Sequence, residues 1–222
     1  MTVRWGIAGP GTIAQGFADD LKLVDDAELV AIGSRSAERA GAFADRFSVP
    51  RRHASYEALA EDAEVDVVYV ATPQSRHETD TRLFLEAGKH VLCEKPFALN
   101  AAQGRRMVDA ARTRGLFLME AMWTRYLPSY GALVDLLGEG RIGEPLLVEG
   151  DFGFRRAVVD PSDRHFDPAL GGGGLLDLGV YPIQLCSLVL GTPDRVVAPP
   201  HQSQTPGKKQ AGPRKQPPSR QK

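Results

Sequence analysis

A lysine held between an acid and a proline is the first residue of this sequence whose setting points to chemistry. Glu94-Lys95-Pro96 follows the apolar run Val91-Leu92-Cys93, which is typical of a buried strand. Proline has no amide hydrogen to donate and biases the residue before it toward extended backbone. Lys95 is therefore expected to be held stiffly at the carboxyl end of a strand. In isolation such a triplet is more often a solvated loop lysine, so the rest of the chain must decide.

A glycine loop near the amino terminus has the spacing that binds dinucleotides. Gly9-x-Gly11-x-x-Ala14 follows an apolar segment and opens a helical pattern. In such a loop the first glycine allows a tight turn, the second lets a pyrophosphate approach the backbone, and the alanine keeps the helix close to the sheet. Thr12 and Ile13 then lie at the helix N-terminus, where amide donors and a partial positive charge attract phosphate. The loop predicts nucleotide binding.

The residues after the second predicted strand favour a phosphorylated ribose. A site that prefers NAD places an acid about 20 residues further on, where it holds the ribose 2′-hydroxyl. The strand here ends with Ile32-Gly33-Ser34-Arg35, without an acid. Arg35 can pair with a 2′-phosphate and stack on adenine, and Ser34 can donate a hydrogen bond. A solvated arginine at a helix start is the alternative, and we favour NADP over NAD.

The first half of the chain alternates strand-like and helix-like segments, which can bring these residues together. Such alternation predicts right-handed crossovers and a parallel sheet, an α/β Rossmann fold. The predicted strands lie near residues 2–8, 28–33, 65–71, 91–94 and 116–119, and the predicted helices near 13–21, 37–47, 77–87 and 101–114 with Asn100 as an N-cap. Ligands bind beyond the carboxyl ends of such strands. This places Gly9–Ala14, Ser34–Arg35, Thr72–Pro73 and Glu94–Pro96 along one edge.

Composition and charge limit the classes of function. The 222 residues carry a net charge of −1, but residues 199–222 hold six basic side chains and no acid, which leaves −7 on the first 198 residues. An acidic body argues against nucleic-acid binding. Cys93 and Cys186 lie in apolar runs and are expected to be core thiols of a reducing compartment. No signal peptide, no apolar run of about 18 residues and no metal site are expected, so the prediction is a cytoplasmic protein without a membrane partner.

Taken together, these motifs resemble the glucose–fructose oxidoreductase / inositol dehydrogenase / MocA family. The resemblance rests on GPGTIA at 9–14, Ser34-Arg35, Ala71-Thr72-Pro73 with His77, and Glu94-Lys95-Pro96. It continues in EAMWTRY at 120–126 and GGGGLLDLGVY at 171–181, where it is most similar to the branch of dimeric dihydrodiol dehydrogenases and NADP-dependent D-xylose dehydrogenases. It implies a Rossmann NADP-binding domain at 1–122, the start of an α+β substrate and dimerisation domain at 123–195, and a homodimer if the sheet of that second domain is present.

The resemblance also implies which residues form the site. Lys95 is expected to be catalytic, with its ammonium at the substrate oxygen, together with Tyr181 and Asp177. Trp123, Arg125 and Phe154 are expected to line the substrate pocket. The cofactor is expected to contact Gly9, Gly11, Thr12, Ile13, Ala14, Ser34, Arg35, Thr72, Pro73, His77, Glu94, Lys95 and Pro96.

The expected reaction transfers hydride between the nicotinamide and a hydroxyl of a sugar or cyclic vicinal diol. Asp177 and Tyr181 stand at i and i+4 and share a face if the segment is helical. Tyr181 would remove the hydroxyl proton, helped by the Lys95 ammonium, which stabilises a phenolate and the developing alkoxide. Asp177 would orient the pair or bind a neighbouring hydroxyl, and His77 would fix a helix start rather than carry a proton. From the residues alone, a helix-terminal acid for Asp177 and an interfacial aromatic for Tyr181 stay open.

The end of the chain departs from the family pattern. A helix near Pro128–Leu137, a strand near Leu146–Phe154 and a helix after the glycines make only the beginning of the second domain, with the strand as an unprotected edge. Residues 196–222 are basic and rich in proline and glutamine, which predicts a disordered tail. A truncated or frame-shifted reading is favoured there over an interaction arm. A non-catalytic NADP-binding regulator and an inactive truncated family member are therefore alternatives to an enzyme.

Overall fold

The computed structural model describes residues 2–154, 160 and 163–198. Its first part is a six-stranded parallel sheet in the order β3-β2-β1-β4-β5-β6. The strands are β1 Val3–Ala8, β2 Ala27–Gly33, β3 Arg51–His53, β4 Val67–Val70, β5 His90–Cys93 and β6 Leu118–Glu120. The order reverses between β1 and β4, and ligands bind at such a switch point. The predicted α/β Rossmann fold is confirmed.

Helices cover both faces of this sheet. They are α1 Thr12–Leu21, α2 Ala37–Phe47, α3 Tyr56–Ala60, α4 His77–Glu86 and α5 Ala101–Arg114, followed later by α6 Pro128–Gly138 and α7 Val180–Leu190. Strand side chains alternate between the two faces. Ile7, for example, packs with α1 and α2 around Phe43, whereas its neighbour Ala8 packs with α3, α4 and α5 around Phe84. The predicted N-cap Asn100 is confirmed, because its side chain accepts a hydrogen bond from the Gln103 amide.

The second part of the chain packs much less. In the part that the structure describes, no residue of α6 or α7 is buried. The predicted strand Leu146–Phe154 is wrong, since residues 145–154 contain no strand. A strand needs a neighbour to pair with, and this segment instead lies along α7. A Cβ on Gly150 would stand 2.8 Å from Cβ of Pro182, and the Phe152 ring lies 4.8 Å from that of Tyr181.

Two further expectations about this part need correction. Cys93 is buried as expected, but Cys186 is only half-buried, because the outer side of α7 is uncovered. The segment Pro168–Leu190 has 23 residues and a mean hydropathy of 1.5, so by length and composition alone it is long and apolar enough to cross a membrane. One such segment is weak evidence for a membrane span. The predicted disordered tail covers residues 196–222, and its residues 199–222 lie outside the described residues.

Candidate active site

The glycine loop lies directly against the end of β4. Gly9 has φ +97°, and a Cβ there would stand 3.0 Å from the Ala71 carbonyl oxygen, so a side chain would push the loop away from the sheet. Gly11 is the N-cap of α1, which Thr12 begins, and nothing lies closer than 4.0 Å to a Cβ built on it. Ala14 is fully buried, whereas Ile13 is half-exposed beside the loop. The bare backbone at Gly9 and Gly11 therefore leaves room for a pyrophosphate at a helix N-terminus.

A buried hydroxyl beside this loop lacks a partner. Thr72 is 7% exposed, and its Oγ1 has no hydrogen-bond partner among the residues that the structure describes. Its Cγ2 lies 3.4 Å from the position of a Cβ on Gly9. A buried polar atom without a partner costs about 1–3 kcal/mol, and a ligand atom can remove that cost. The loop and this hydroxyl together fit a bound dinucleotide.

The carboxyl end of β2 carries the two residues expected at the adenosine ribose. Ser34 is buried, and its Oγ accepts a hydrogen bond from the Ser36 amide at 3.1 Å, which leaves the hydroxyl proton free to be donated. Arg35 is exposed and lies beside the Tyr56 hydroxyl. Burial raises the pKa of Tyr56, and the Arg35 guanidinium acts in the opposite direction. A cation and a hydroxyl donor thus stand where a 2′-phosphate would lie.

His77 ties two of the predicted segments together. Its Nδ1 lies 2.8 Å from the Pro96 carbonyl oxygen, and its Nε2 lies 3.0 Å from the Thr72 carbonyl oxygen. The ring is fully buried, and that burial lowers the pKa of His77. His77 begins α4, so it holds the turn after β4 against the turn after β5. This is a positioning arrangement, as expected for His77.

Lys95 projects from the end of β5 toward the segment after the glycines. Its Nζ donates to the Asp177 carbonyl oxygen at 2.8 Å and to Asp177 Oδ1 at 3.2 Å. The Lys95 amide donates to Glu94 Oε2 at 3.0 Å, and Tyr69 donates its hydroxyl to Glu94 Oε1 at 2.5 Å. Burial raises the pKa of Glu94 and that of Tyr69. The Lys95–Pro96 peptide bond is cis. Lys95 is thus fixed at both its backbone and its ammonium, and the solvated-loop interpretation is wrong.

Tyr181 lies beside this pair in an aromatic cluster. Lys95 Nζ stands over the Tyr181 ring, 5.1 Å from its centroid, rather than beside the hydroxyl. The Tyr181 hydroxyl accepts from Trp123 Nε1 at 3.0 Å, and the Phe152 ring packs 4.8 Å away. An ammonium over an aromatic face is attracted to it. Residues 177 and 181 share a face as expected, across a π-helical turn at Leu175–Gly179 that leads into α7.

The expected substrate residues are divided between two places. Arg125 lines a cavity of about 500 Å³ between the segment after β6 and α7, together with Glu120 and Met122. Burial raises the pKa of Glu120, whose Oε1 accepts from the Phe97 amide at 2.7 Å. Trp123 contacts Tyr181 instead. Phe154 is 60% exposed and is not among the residues that line this cavity.

Sequence reasoning missed four residues at this site. Phe152, rather than Phe154, packs on Tyr181, because residues 145–154 run past α7 without pairing. His165 Nε2 lies 3.9 Å from Asp177 Oδ2, and its Nδ1 lies 2.5 Å from Asp163 Oδ1. Gln74 donates its side-chain amide to the Gly171 carbonyl oxygen. The only signal for His165 and Asp163 was their position just before the glycines, and Gln74 gave none.

Comparison with known proteins places this arrangement in a family. Residues 3–122 match the model of an oxidoreductase family with an NAD-binding Rossmann fold, and residues 130–212 match the C-terminal domain of the GFO/IDH/MocA proteins. The second match extends beyond residue 195, where the sequence analysis placed the end of family-like sequence.

Relatives and solved structures agree with these matches. The chain is 42% identical over 202 residues to the trans-1,2-dihydrobenzene-1,2-diol dehydrogenase of Mus musculus, covering 89% of this chain and 60% of the relative. It is 44% identical over 193 residues to that of Macaca fuscata fuscata, covering 86% and 57%. The chain therefore spans about 60% of the length of the curated relatives it matches.

Among solved structures, a 3-ketoreductase from Actinomadura kijaniata in complex with NADP and TDP-benzene has a TM-score of 0.72 at 36% identity, covering 86% of this chain and 58% of that one. An NAD-binding oxidoreductase from Klebsiella pneumoniae has a TM-score of 0.75 at 27% identity, covering 86% and 54%. With more than half of its residues matched by the first model, and with the glycine loop and Lys95 at the same sheet edge, the chain belongs to the GFO/IDH/MocA oxidoreductase family and has its NAD(P)-binding Rossmann fold.

Proposed function

We propose that this chain is an NADP-dependent oxidoreductase that transfers hydride between the nicotinamide and a hydroxyl of a cyclic vicinal diol or a sugar. One observation carries the proposal. Lys95, at the edge where the nucleotide loops converge, is bound to Asp177 at 2.8 and 3.2 Å and stands over the ring of Tyr181. A cation, an acid and a phenol are thus brought together next to a dinucleotide site.

The choice of NADP over NAD rests on the end of β2. Arg35 and Ser34 stand where an NAD-preferring site has an acid. An arginine can bind a 2′-phosphate with two hydrogen bonds, and no carboxylate in this turn repels it. The Tyr56 hydroxyl lies beside the guanidinium. The structural neighbour from Actinomadura kijaniata was solved with NADP, which supports the same choice.

The residues of the chain divide the chemistry between them. A bound nicotinamide dinucleotide supplies the hydride donor or acceptor. Lys95 places a positive charge where the reacting oxygen gains negative charge, and Tyr181 exchanges the hydroxyl proton. Asp177 holds the ammonium in position, and Trp123 fixes the Tyr181 hydroxyl by donating to it. The Phe152 and Trp123 rings pack against the phenol ring.

The substrate class rests on the relatives. The relatives named above act, by their names, on a dihydrobenzene diol. The cavity of about 500 Å³ beside Arg125 and Glu120 is large enough for such a ring, but its lining residues do not include Lys95, Asp177 or Tyr181, so it supports the substrate class by size alone. A sugar presents the same vicinal hydroxyls and is the second substrate to try. A homodimer and a cytoplasmic location stay predictions.

The test separates cofactor binding from turnover in the purified chain. NADPH binding is measured by fluorescence, and NADPH formation at 340 nm is followed with a trans-dihydrodiol, D-xylose and D-glucose. Lys95→Met is expected to abolish turnover and to change NADPH affinity by less than about tenfold. Lys22→Met is the matched control, because Lys22 is an exposed lysine paired with Asp19.

Two results would contradict the proposal. Equal turnover by the Lys95→Met variant and its parent would remove Lys95 from the chemistry. NADPH binding without turnover of any of the three substrates would favour a non-catalytic nucleotide-binding regulator. The absence of buried residues from α6 and α7, within the described part of the chain, is the observation that favours this second function.

A further inference from the structure

A second arginine lies close to the residues expected at the 2′-phosphate. Tyr56, at the start of α3, is only 7% exposed. Burial and the charge of Asp80 raise the pKa of Tyr56, and the guanidinium groups of Arg35 and Arg76 both act in the opposite direction. One hydroxyl group is thus the shared neighbour of two cations. Of the two arginines, only Arg35 was expected at this site from the sequence.

The topology of the sheet explains why these residues meet. β2 and β4 both flank β1, and the turns that follow them lie at the carboxyl edge, where a nucleotide binds. Arg35 follows β2, whereas Arg76 is the N-cap of α4 in the connection after β4. Tyr56 of α3 belongs to the same buried cluster as Phe84 and Leu85 of α4. The two arginines therefore approach the adenosine end of the site from the two neighbours of β1.

A fully buried acid holds Arg76 in this place. Asp80, in the first turn of α4, is 0% exposed, and its Oδ1 accepts a hydrogen bond from Arg76 Nη2 at 2.7 Å. Its Oδ2 and Arg76 Nε are buried and have no hydrogen-bond partner among the residues that the structure describes. The Arg76 side chain as a whole is nevertheless 44% exposed. A guanidinium has five N–H donors, so the contact with Asp80 anchors Arg76 and leaves donors for a ligand.

The charge of Asp80 determines what the loss of Arg76 would do. A buried carboxylate is costly without a cation beside it, and it repels a phosphate group nearby. In the described part of the chain, Asp80 forms its ion pair with Arg76. While Arg76 is present the two charges cancel, and Arg35 can attract a phosphate unopposed. Without Arg76, the Asp80 carboxylate would act against Arg35.

We propose that Arg76, held by Asp80, is a second residue that selects NADP over NAD by binding the 2′-phosphate together with Arg35. The inference rests on the proposed function for its cofactor, but its test needs no turnover. Arg76 donates to the phosphate from guanidinium nitrogens that Asp80 does not use. NAD has a hydroxyl group in place of the 2′-phosphate, so its binding gains little from a second cation.

The selectivity ratio, Kd for NADH divided by Kd for NADPH, measures this role in the purified full chain. The two fluorescent cofactors differ only in the 2′-phosphate, so each is titrated separately. We expect Arg76→Gln to lower the ratio about five- to thirtyfold, chiefly by weakening NADPH binding. Arg82→Gln is the matched control, because Arg82 lies on the same helix, is also 44% exposed and also pairs with an acid four residues further on, Glu86. An equal fall in Arg82→Gln would show a general charge effect and overturn the proposal.

A double variant separates phosphate binding from a purely structural role of the ion pair. Arg76→Gln leaves the Asp80 carboxylate buried without its cation and should therefore also lower the melting temperature. Arg76→Gln combined with Asp80→Asn removes both charges and leaves two amides that can still form a hydrogen bond. We expect the melting temperature to recover and the selectivity ratio to stay about threefold or more below that of the parent chain. Recovery of the ratio along with the melting temperature would overturn a direct contact between Arg76 and the 2′-phosphate.

The role of Arg76 and the proposed function fail in distinguishable ways. A low selectivity ratio in both Arg76 variants, without turnover by the parent chain, supports the role of Arg76 and sinks the proposed enzyme. A parental ratio in Arg76→Gln beside a low ratio in Arg35→Ala overturns the role of Arg76 and leaves the choice of NADP in place. A ratio near one in the parent chain overturns both the choice of NADP and the role of Arg76, and turnover with NADH would then still show an oxidoreductase.

Discussion

Replacing Gly171 with alanine tests how much the close packing at Gly171 contributes to holding Asp177 beside Lys95. Gly171 is buried and has φ +84°. A Cβ there would stand 2.5 Å from Leu99 Cδ2 and 2.8 Å from Gln74 Cγ. Its carbonyl oxygen accepts the hydrogen bond from Gln74. These contacts bring the segment that carries Asp177 against the Rossmann domain.

The magnitude can be worked from these contacts. Alanine in left-handed backbone costs about 1–2 kcal/mol. Moving the segment to relieve the close approach to Gln74 breaks a hydrogen bond worth about 1 kcal/mol. Leu99 is half-buried and can turn aside, so its contact adds little. The sum of about 2–3 kcal/mol lowers the ratio of docked to undocked segment roughly 30- to 150-fold, at about 1.4 kcal/mol for each factor of ten.

Hydrogen exchange of residues 172–181 measures docking without any need for turnover. We expect exchange in Gly171→Ala to rise by the same factor of roughly 30 to 150, while NADPH affinity changes less than about twofold, since the glycine loop is elsewhere. Gly174→Ala is the matched control: Gly174 has helical φ and ψ of −58° and −31°, and nothing lies within 4 Å of its Cβ position. Two results would refute this explanation of docking. One is hydrogen exchange in Gly171→Ala at the rate of the parent chain, and the other is an equal increase in exchange in Gly174→Ala.

Three further changes test the nucleotide edge and the half-buried Glu120. Arg35→Ala should weaken NADPH binding roughly 10- to 100-fold without weakening NADH binding, as expected for a charge-assisted contact of about 1.5–3 kcal/mol. Arg39→Ala is the control, because Arg39 is an exposed arginine in the first turn of α2. Equal losses of affinity for NADPH and NADH in Arg35→Ala would contradict a contact with the 2′-phosphate. Thr72→Val keeps the side-chain shape and removes the unpartnered hydroxyl. The unfolding free energy should therefore stay level or rise, while NADPH affinity falls about two- to tenfold. A loss of stability with unchanged NADPH affinity would instead show that the Thr72 hydroxyl has a partner within the protein. For Glu120, burial raises the folded pKa above the ordinary value of 4.5, so its contribution to stability is complete below pH 4.5 and is lost as pH rises through the folded pKa. Glu120→Gln should therefore raise the melting temperature at pH 8 and not at pH 4, and a gain at both would point to packing instead of charge.

The elements that the sequence predicted well are those that the sheet buries. The boundaries of α2, 37–47, and the N-cap of α5 are as expected, because apolar periodicity and a capping side chain are local signals. β3 and α3 were missed. β3 is the exposed run Arg51-Arg52-His53, and it becomes a strand only because β2 offers an edge to pair with. At residues 146–154 the reverse happened, since a strand was predicted and none forms. The cause is again pairing, because a strand-like sequence pattern does not form a strand without a neighbouring strand.

The candidate site divides in the same way. Lys95 and the glycine loop could be placed from sequence because each ends a predicted strand of one parallel sheet, whose topology fixes the edge they share. The placement of Tyr181 beside Lys95 was expected from the family resemblance, since the spacing to Asp177 predicts only that residues 177 and 181 share a helical face. The contacts of Trp123 and Phe152 depend on how residues 120–154 run past α7, and no local pattern encodes that path. His165 was invisible for the same reason.

The two halves of the site are held by forces of different size. The nucleotide edge is built on a core in which residues such as Ile7 and Val70 are fully buried, so it can exist before any ligand binds. Asp177 and Tyr181 reach Lys95 through a few polar contacts, among them the hydrogen bonds Gln74–Gly171, Lys95–Asp177 and Trp123–Tyr181. Each of these is worth about 1 kcal/mol or somewhat more, against the much larger apolar burial beneath the sheet. Under the proposed function, cofactor binding therefore depends on the core, whereas proton transfer depends on docking, and a perturbation of docking should reach turnover first.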